Sequence, residues 1–370
     1  MKILLLGGTG AMGGYLANLL CAENIETYIT SRKKNNDYGC VHYITGNAHD
    51  DKFLYPLLQN HYDVIVDFMV YTTVEFKKRA EKILENCNQY VFLSSARVYA
   101  DSKTPITEES PRLLDVSDDS DFLATDDYAL KKAREEDILR NSNKKNWTVI
   151  RPYITYSDIR LQFGILEKEL WLSRALSDKT VVFSKDIFSH RTTLTWGEDV
   201  ARGIKAVIGR EEALGECFHI TSSESLLWSD VWNVYQNVIS EIKGFTPEIK
   251  LVDLQTFNKI YPSMYSIKYD RLYNRVFDNS KINKFINSSN FMTPQIGLKK
   301  SLQEFIENGA CFNFPVWWRS EGYADRITGN KVSLKTIDGI KNKFRYMVGK
   351  SELNSKIWSF FKKGTVQSGR

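Results

Sequence analysis

The segment that most constrains this chain is its first, "KILLLGGTGAMGGYLANLL", residues 2 to 20. Residues 2 to 6 form an apolar run that reads as a strand buried on both faces, and the residues after Gly13 carry apolar side chains at helical spacing. Between them stand Gly7, Gly8, Thr9, Gly10, Ala11, Met12 and Gly13. Glycines there permit a tight turn and let backbone N–H groups at the positive end of the helix approach a pyrophosphate. A glycine pattern alone is weak evidence, but between a strand and a helix it predicts a dinucleotide-binding turn. The competing reading is a glycine-rich helix cap without a ligand.

The same alternation continues. Strands are expected at 26–30, 41–46, 63–70, 89–95 and 147–152, with helices in "DDKFLYPLLQN", "TVEFKKRAEKILENC" and "YALKKAREEDILRNS" between them. This pattern predicts an α/β chain with a Rossmann-type, doubly wound parallel sheet. The acidic stretch 107–127 reads as a long loop. Beyond residue 152 the alternation becomes irregular and aromatic, with Trp171, Trp196, Trp228 and Trp232. The expected organisation is a dinucleotide-binding domain over 1–160, a smaller mixed substrate lobe over 161–330 that returns some of 190–220 to the sheet domain, and a basic amphipathic tail over 331–370.

A site for NAD ordinarily ends its second strand with an acid about 20 residues past the glycines, where it accepts from the ribose 2′-OH. Here that place holds Ser31, Arg32 and Lys33, followed by Lys34. A guanidinium can fork onto a 2′-phosphate and a serine hydroxyl can donate to it, so the expected cofactor is NADP(H), with NAD(H) as the alternative. The bland reading is a solvated, charged turn.

Tyr128 and Lys132 lie four residues apart on a predicted helix and project from one face. An ammonium beside a phenol lowers its pKa, so Tyr128 is a candidate acid/base for a hydroxyl or carbonyl undergoing hydride transfer. Ser95 falls at the carboxyl end of the fifth strand, the edge at which open α/β sheets bind ligands.

With these residues in order, the chain resembles the extended short-chain dehydrogenases/reductases, the group of nucleotide-sugar epimerases, dehydratases and ketoreductases. The resemblance spans roughly residues 1–240. "SSARVYA" is similar to the family's SSxxVYG, which implies that Ser95 is the catalytic hydroxyl, Tyr128 the acid/base and Lys132 its partner and ribose anchor. "GNAHD" resembles GDxxD and implies that Asp50 lies near the adenine. "RPYITYS" sits where the family has RPxNxxGP, which implies that Pro152, Tyr153 and Thr155 line the nicotinamide and substrate. "HRTTLTWGEDVA" resembles RDxxHVxDVA and implies that Arg191 contacts a substrate phosphate, a structural ion pair being the alternative. Asp67 and Phe68, in "DFMVY", replace the family's HxAA beside the cofactor phosphates. Ser95, Ala96 and Arg97 stand where dehydratases carry Thr-Asp-Glu, so dehydration is disfavoured and Arg97 becomes a candidate substrate contact. The implied reaction is NADP(H)-dependent hydride transfer at a ring carbon of a nucleotide sugar, keto-sugar reduction first and 4-epimerisation with NAD second, in surface-polysaccharide precursor synthesis. A non-catalytic NADP(H)-sensing or RNA-binding member is the third reading.

Charge is uneven along the 370 residues. The formal net charge is +5, yet residues 331–370 hold ten Lys or Arg against Asp338 and Glu352, so the tail carries +8 and the rest about −3. In the tail, Leu334, Ile337, Ile340, Phe344 and Val348, then Leu353, Ile357, Trp358 and Phe361, recur at helical spacing among lysines. Docking on the protein body or a second subunit, and peripheral contact with an anionic membrane surface, are both open for such a stripe; nucleic acid is disfavoured. A homodimer is likewise open. Five widely spaced cysteines predict reduced thiols and no metal site, and no signal-like or membrane-spanning apolar run is apparent. The expected location is cytoplasmic, with the tail at the inner face of the membrane as a variant.

Overall fold

In the computed structural model, which describes residues 1–312 and 316–351, the apolar runs become a seven-stranded parallel sheet. In chain order its first part is β1 (Lys2–Leu6), α1 (Gly13–Cys21), β2 (Glu26–Ser31), β3 (Val41–Thr45), α2 (Asp51–Leu58), β4 (Tyr62–Asp67), α3 (Thr73–Glu85), β5 (Cys87–Leu93), the single turns α4 (Leu113–Val116) and α5 (Ser120–Leu123), α6 (Tyr128–Arg140) and β6 (Trp147–Pro152). The seventh strand, Glu216–Ile220, comes from much further along and lies beside β6. Across the sheet the order is seventh strand, β6, β5, β4, β1, β2, β3, all parallel. The order therefore reverses between β1 and β4, which is the topological switch point of a doubly wound sheet.

The strands are apolar on both faces because helices cover both. Ile3, Leu5, Val64, Val66 and Val91 pack with Leu16 and Leu20 of α1 and Ile204. The alternate residues Leu4, Ile65, Tyr90 and Phe92 pack with Leu54 of α2, Phe76 and Ile83 of α3 and Leu139 of α6. Each such leucine or isoleucine contributes about 1.5–3 kcal/mol by burial. Register aligns Leu6 with Asp67 and Asp67 with Phe92, so one row across β1, β4 and β5 ends at the carboxyl edge of the sheet.

The chain divides into two compact units. Unit 1 comprises residues 1–159, 191–226 and 273–297, and unit 2 comprises 160–190, 227–272 and 298–370. The substrate lobe expected over 161–330 thus loses 273–297 as well as 191–226 to the sheet unit. The cause is visible in pairing: Ile106 N–H donates to the Val276 carbonyl and Arg275 N–H to the Arg191 carbonyl. In unit 2, Phe163, Trp171, Phe183, Trp228, Trp232 and Tyr235 stack into an aromatic core, whereas Trp196 belongs to unit 1 and meets Tyr15 edge-on. A short parallel pair, Val181–Ser184 with Ile249–Val252, lies in the same unit.

The described part of the tail docks on the protein body, one of the placements open for it, and belongs to unit 2 rather than forming a separate segment. Helix Ile340–Lys350 crosses helix Trp318–Thr328 at glycines: a Cβ on Gly322 would lie 2.2 Å from the Tyr346 carbonyl oxygen, and one on Gly349 2.1 Å from that of Arg319. Tyr346 then donates to Asp325 at 2.8 Å, and Arg174 reaches Asp325 at 2.9 Å and Glu321 at 2.7 Å. The expected apolar stripe splits: Ile337 and Val348 are buried, while Leu334, Ile340 and Phe344 are exposed. Leu353, Ile357, Trp358 and Phe361 lie outside the described residues. Among the described residues no helix is long and apolar enough to cross a membrane, and no cluster of His, Cys, Asp and Glu is arranged to hold a metal.

Candidate functional site

The glycine turn leaves β1 with Gly7 at φ +68°, a left-handed conformation that favours glycine. Its N–H donates to the Thr30 hydroxyl at 2.9 Å, which ties the turn to the end of β2. Thr9, Ala11 and Met12 complete the loop, and α1 starts at Gly13 without a side-chain cap or an acid in its first turn. A Cβ on Gly13 would lie 2.4 Å from the Gly8 carbonyl oxygen, so glycine is needed for close packing there. A Cβ on Gly10 would meet nothing within 4 Å. An uncapped helix N-terminus facing open space at Gly10 fits a dinucleotide pyrophosphate.

At the end of β2, Ser31 is buried and its hydroxyl accepts from Lys33 N–H and the Asn35 amide, at 3.2 and 2.9 Å. Arg32 and Lys33 are exposed. The nearest downstream acid, Asp37, is engaged by Tyr43 N–H at 2.8 Å and His42 at 3.2 Å, and those hydrogen bonds hold its carboxyl below the usual range. Asp50 caps α2, accepting from Lys52 N–H at 2.9 Å.

Asp67 differs from its expected place beside the cofactor phosphates. Its side chain lies on the face of β4 covered by α3 and α6 and is fully buried. There it accepts from Met69 N–H at 2.9 Å, the Tyr71 hydroxyl at 2.9 Å and the Tyr90 hydroxyl at 2.8 Å. Burial nevertheless raises its pKa against the pull of those donors and of Lys132, and it pushes both phenols well above their ordinary value. Phe68 is half-buried beside the turn, its N–H donating to the Leu6 carbonyl at 2.9 Å.

Ser95 follows β5, is 5% exposed and accepts from Arg97 N–H at 3.2 Å. Tyr128 opens α6 and is half-buried, with the Arg97 guanidinium 5.2 Å from its ring centre and the Lys131 ammonium at 5.6 Å. Arg97 also faces Asp127 at 3.9 Å. The structure thereby brings Ser95, Arg97 and Tyr128 to one corner of the sheet edge.

Lys132 is on the same helix face but fully buried, and its ammonium is committed elsewhere. It lies 4.4 Å from the Phe92 ring centre and 3.0 Å from a carboxylate oxygen of Glu135, which is also fully buried. The angles leave neither group an aligned hydrogen bond: Lys132 Nζ and both Glu135 oxygens are buried without one. Burial pushes the Glu135 carboxyl up to about 7 against the pull of Lys132. An ammonium held ready in a dry site with unsatisfied donors fits the hydroxyls of a cofactor ribose.

Among the other expected contacts, Pro152 ends β6 and Tyr153 and Thr155 are buried just beyond it, Tyr153 against Phe277. Arg191 is exposed and donates to the Ser225 carbonyl at 3.3 Å rather than forming an ion pair. The sequence reading missed Glu135 and the two tyrosines on Asp67. Glu135 follows Lys132 by one helical turn, the only sequence signal for it. It also missed Arg151, which forks onto Glu136 at 2.8 and 2.6 Å, reaches Tyr99 at 2.9 Å and braces β6 against α6.

No protein-family model matches the chain. It is 25% identical over 241 residues, 60% of its length, to the chloroplast stem-loop binding protein of 41 kDa b of Arabidopsis thaliana, of which it spans 59%. Solved structures align over 83% of it. An epimerase from Methanothermobacter thermautotrophicus matches with a TM-score of 0.65 at 19% identity, over 92% of that chain. UDP-glucuronic acid 4-epimerase from Bacillus cereus, in complex with UDP-glucuronic acid and NAD, matches at 0.61 and 15% over its whole length. dTDP-glucose 4,6-dehydratase from Bacillus anthracis, in complex with NAD, matches at 0.63 and 18%, over 97% of that chain. The chain therefore shares its fold with these epimerases and this dehydratase.

Proposed function

We propose that this chain is an NAD(P)-dependent enzyme that moves hydride at a ring carbon of a nucleotide-activated sugar, with keto-sugar reduction by NADP(H) as its reaction. The observation that carries this reading is the juxtaposition of Ser95, Arg97 and Tyr128 at the carboxyl edge of β5, with Lys132 buried on the helix that Tyr128 opens. A bound nicotinamide supplies or accepts the hydride. Tyr128 gives its hydroxyl proton to the carbonyl oxygen as that oxygen becomes an alcohol, and takes one in the reverse direction. Ser95 holds the same oxygen by hydrogen bonding, and Lys132 is assigned to the hydroxyls of the cofactor ribose. The preference for NADP(H) rests on Arg32 and Lys33 and on the absence of a free acid at the end of β2.

The second reading is 4-epimerisation with NAD, favoured by the NAD in the 4-epimerase structure of like fold. The third is a member without catalysis that senses NADP(H) or binds RNA, and the stem-loop binding of the chloroplast relative favours it. Replacing Tyr128 by Phe separates enzyme from binder. Affinity for the cofactor should stay within about twofold while turnover of UDP- or dTDP-linked sugars falls about 10²–10⁴-fold, the range for loss of a general acid. Turnover that survives the substitution overturns the acid/base assignment.

For its surroundings, we propose, second to docking on the protein body, a peripheral contact of the tail with anionic lipid. Ile340 and Met347 stand exposed on the helix whose Tyr346 and Gly349 dock inward, with Lys341 and Lys343 flanking them.

A further inference from the structure

The pairing of Lys132 with Glu135 has no counterpart in the role assigned to Lys132 as a partner of Tyr128 and anchor of the ribose. Two carboxyls and one ammonium share a dry space between α6 and the strands β4 and β5. Asp67 has three donors of its own, from Met69, Tyr71 and Tyr90. Glu135 has none: its only close countercharge is Lys132, and neither of its oxygens accepts a hydrogen bond. The two acids are therefore unequal. If the ammonium turns to another partner, Asp67 keeps its hydrogen bonds, whereas an ionised Glu135 is left buried with nothing close to compensate it.

We infer that Glu135 is a positioning residue that holds Lys132 in reserve and takes up a proton when Lys132 is drawn to the ribose of a bound dinucleotide. This rests on the proposed cofactor role of Lys132. In the unliganded protein Glu135 shares the charge of Lys132; on binding, Lys132 turns its N–H donors to hydroxyls, and a proton from solvent neutralises Glu135. The proton balance is one taken up per dinucleotide bound, with no other reactant. The groups that face Glu135 are Lys132 and, further off, Lys131 from α6, Asp67 from β4 and Tyr90 from β5. Asp67 opposes the ionisation of Glu135 and so favours its proton, while Tyr90, held neutral by burial and Asp67, adds no charge. Lys131 opposes it from a half-buried position.

The sign follows. Burial pushes the Glu135 carboxyl of the free protein up to about 7. Below that pH it already holds its proton, and binding is insensitive to pH. Above it, uptake must accompany binding, so affinity falls by up to about tenfold per pH unit.

The test is calorimetric titration of the full chain with NADPH and NADH at pH 6, 7, 8 and 9, each in two buffers of different ionisation enthalpy. The wild-type protein should take up close to one proton per cofactor at pH 8 and little at pH 6. Glu135→Gln should remove the uptake and bind more tightly than wild type at pH 9, while Asp67→Asn should retain the uptake. Binding of either cofactor by wild type without proton uptake overturns the inference and leaves the proposed function standing. So does uptake that persists in Glu135→Gln. Failure of wild type to bind either cofactor at any of these pH values overturns both. The wild-type measurement decides even if Glu135→Gln does not fold.

Discussion

At the end of β2, Ser31 turns its hydroxyl into its own loop while Arg32 and Lys33 stand in solvent. A charge-assisted hydrogen bond to a phosphate is worth about 1.5–3 kcal/mol. Arg32→Ala is therefore expected to weaken NADPH about 10- to 100-fold and to leave NADH within about twofold, as read by fluorescence titration of the two cofactors side by side. Equal losses for both, or tight NADH binding by the wild type, would reassign Arg32 to the solvated surface. Residues whose chemistry is local were legible in the sequence: the position of Ser31 and the start of α6 at Tyr128 follow from spacing. Residues whose role depends on a distant strand were not. Nothing adjacent to Asp67 announces that Tyr71 and Tyr90 will both donate to it, because only the register of β4 and β5 brings Tyr90 there.

Between β1 and α1, two glycines look alike in sequence and have opposite surroundings. Gly13 is pressed against the Gly8 carbonyl, and Gly10 faces open space. Gly13→Ala should cost about 1–3 kcal/mol through overpacking and lower the thermal midpoint by several degrees. Gly10→Ala should melt as the wild type does and lose at least about tenfold in cofactor affinity, because its methyl occupies the space the backbone offers a pyrophosphate. Paired melting curves and binding titrations check both; a Gly10→Ala protein that binds normally would remove the turn from the site. Elements of the sheet were read well, with β6 found at its actual limits of Trp147–Pro152. The acidic loop hid α4 and α5, which span only four residues each and are too short to show periodicity.

On the scale of the whole molecule, the tail carries most of the basic excess. If it contacts lipid, the full chain should pellet with vesicles containing about 30% anionic lipid and not with zwitterionic ones, and rising salt should release it. Lys341→Glu combined with Lys343→Glu should weaken the pelleting, since each cation near such a surface contributes about 1 kcal/mol. Pelleting with zwitterionic vesicles to the same extent, or no pelleting at all, would return the exposed residues to a protein partner. The division into two units was the least legible feature. Segment 273–297 carries no pattern marking it for the sheet unit, and its place is set by bonds to residues far away along the chain, such as those from Arg275 to the carbonyls of Tyr99 and Ala100.

That return has a consequence for biosynthesis. A nascent chain leaving the ribosome has six strands of its sheet once residue 152 has emerged, but the outer edge of β6 stays bare until Glu216–Ile220 arrives. The backbone carbonyls clamped by Arg275 wait longer still. Unit 1 is complete only after two of the three segments of unit 2, 160–190 and 227–272, have been translated, so the two cannot mature in turn like beads threaded on a string. The interval between residues 152 and 220 is the window in which a chaperone would meet an open strand edge, and a synonymous codon that slows translation there would lengthen that exposure.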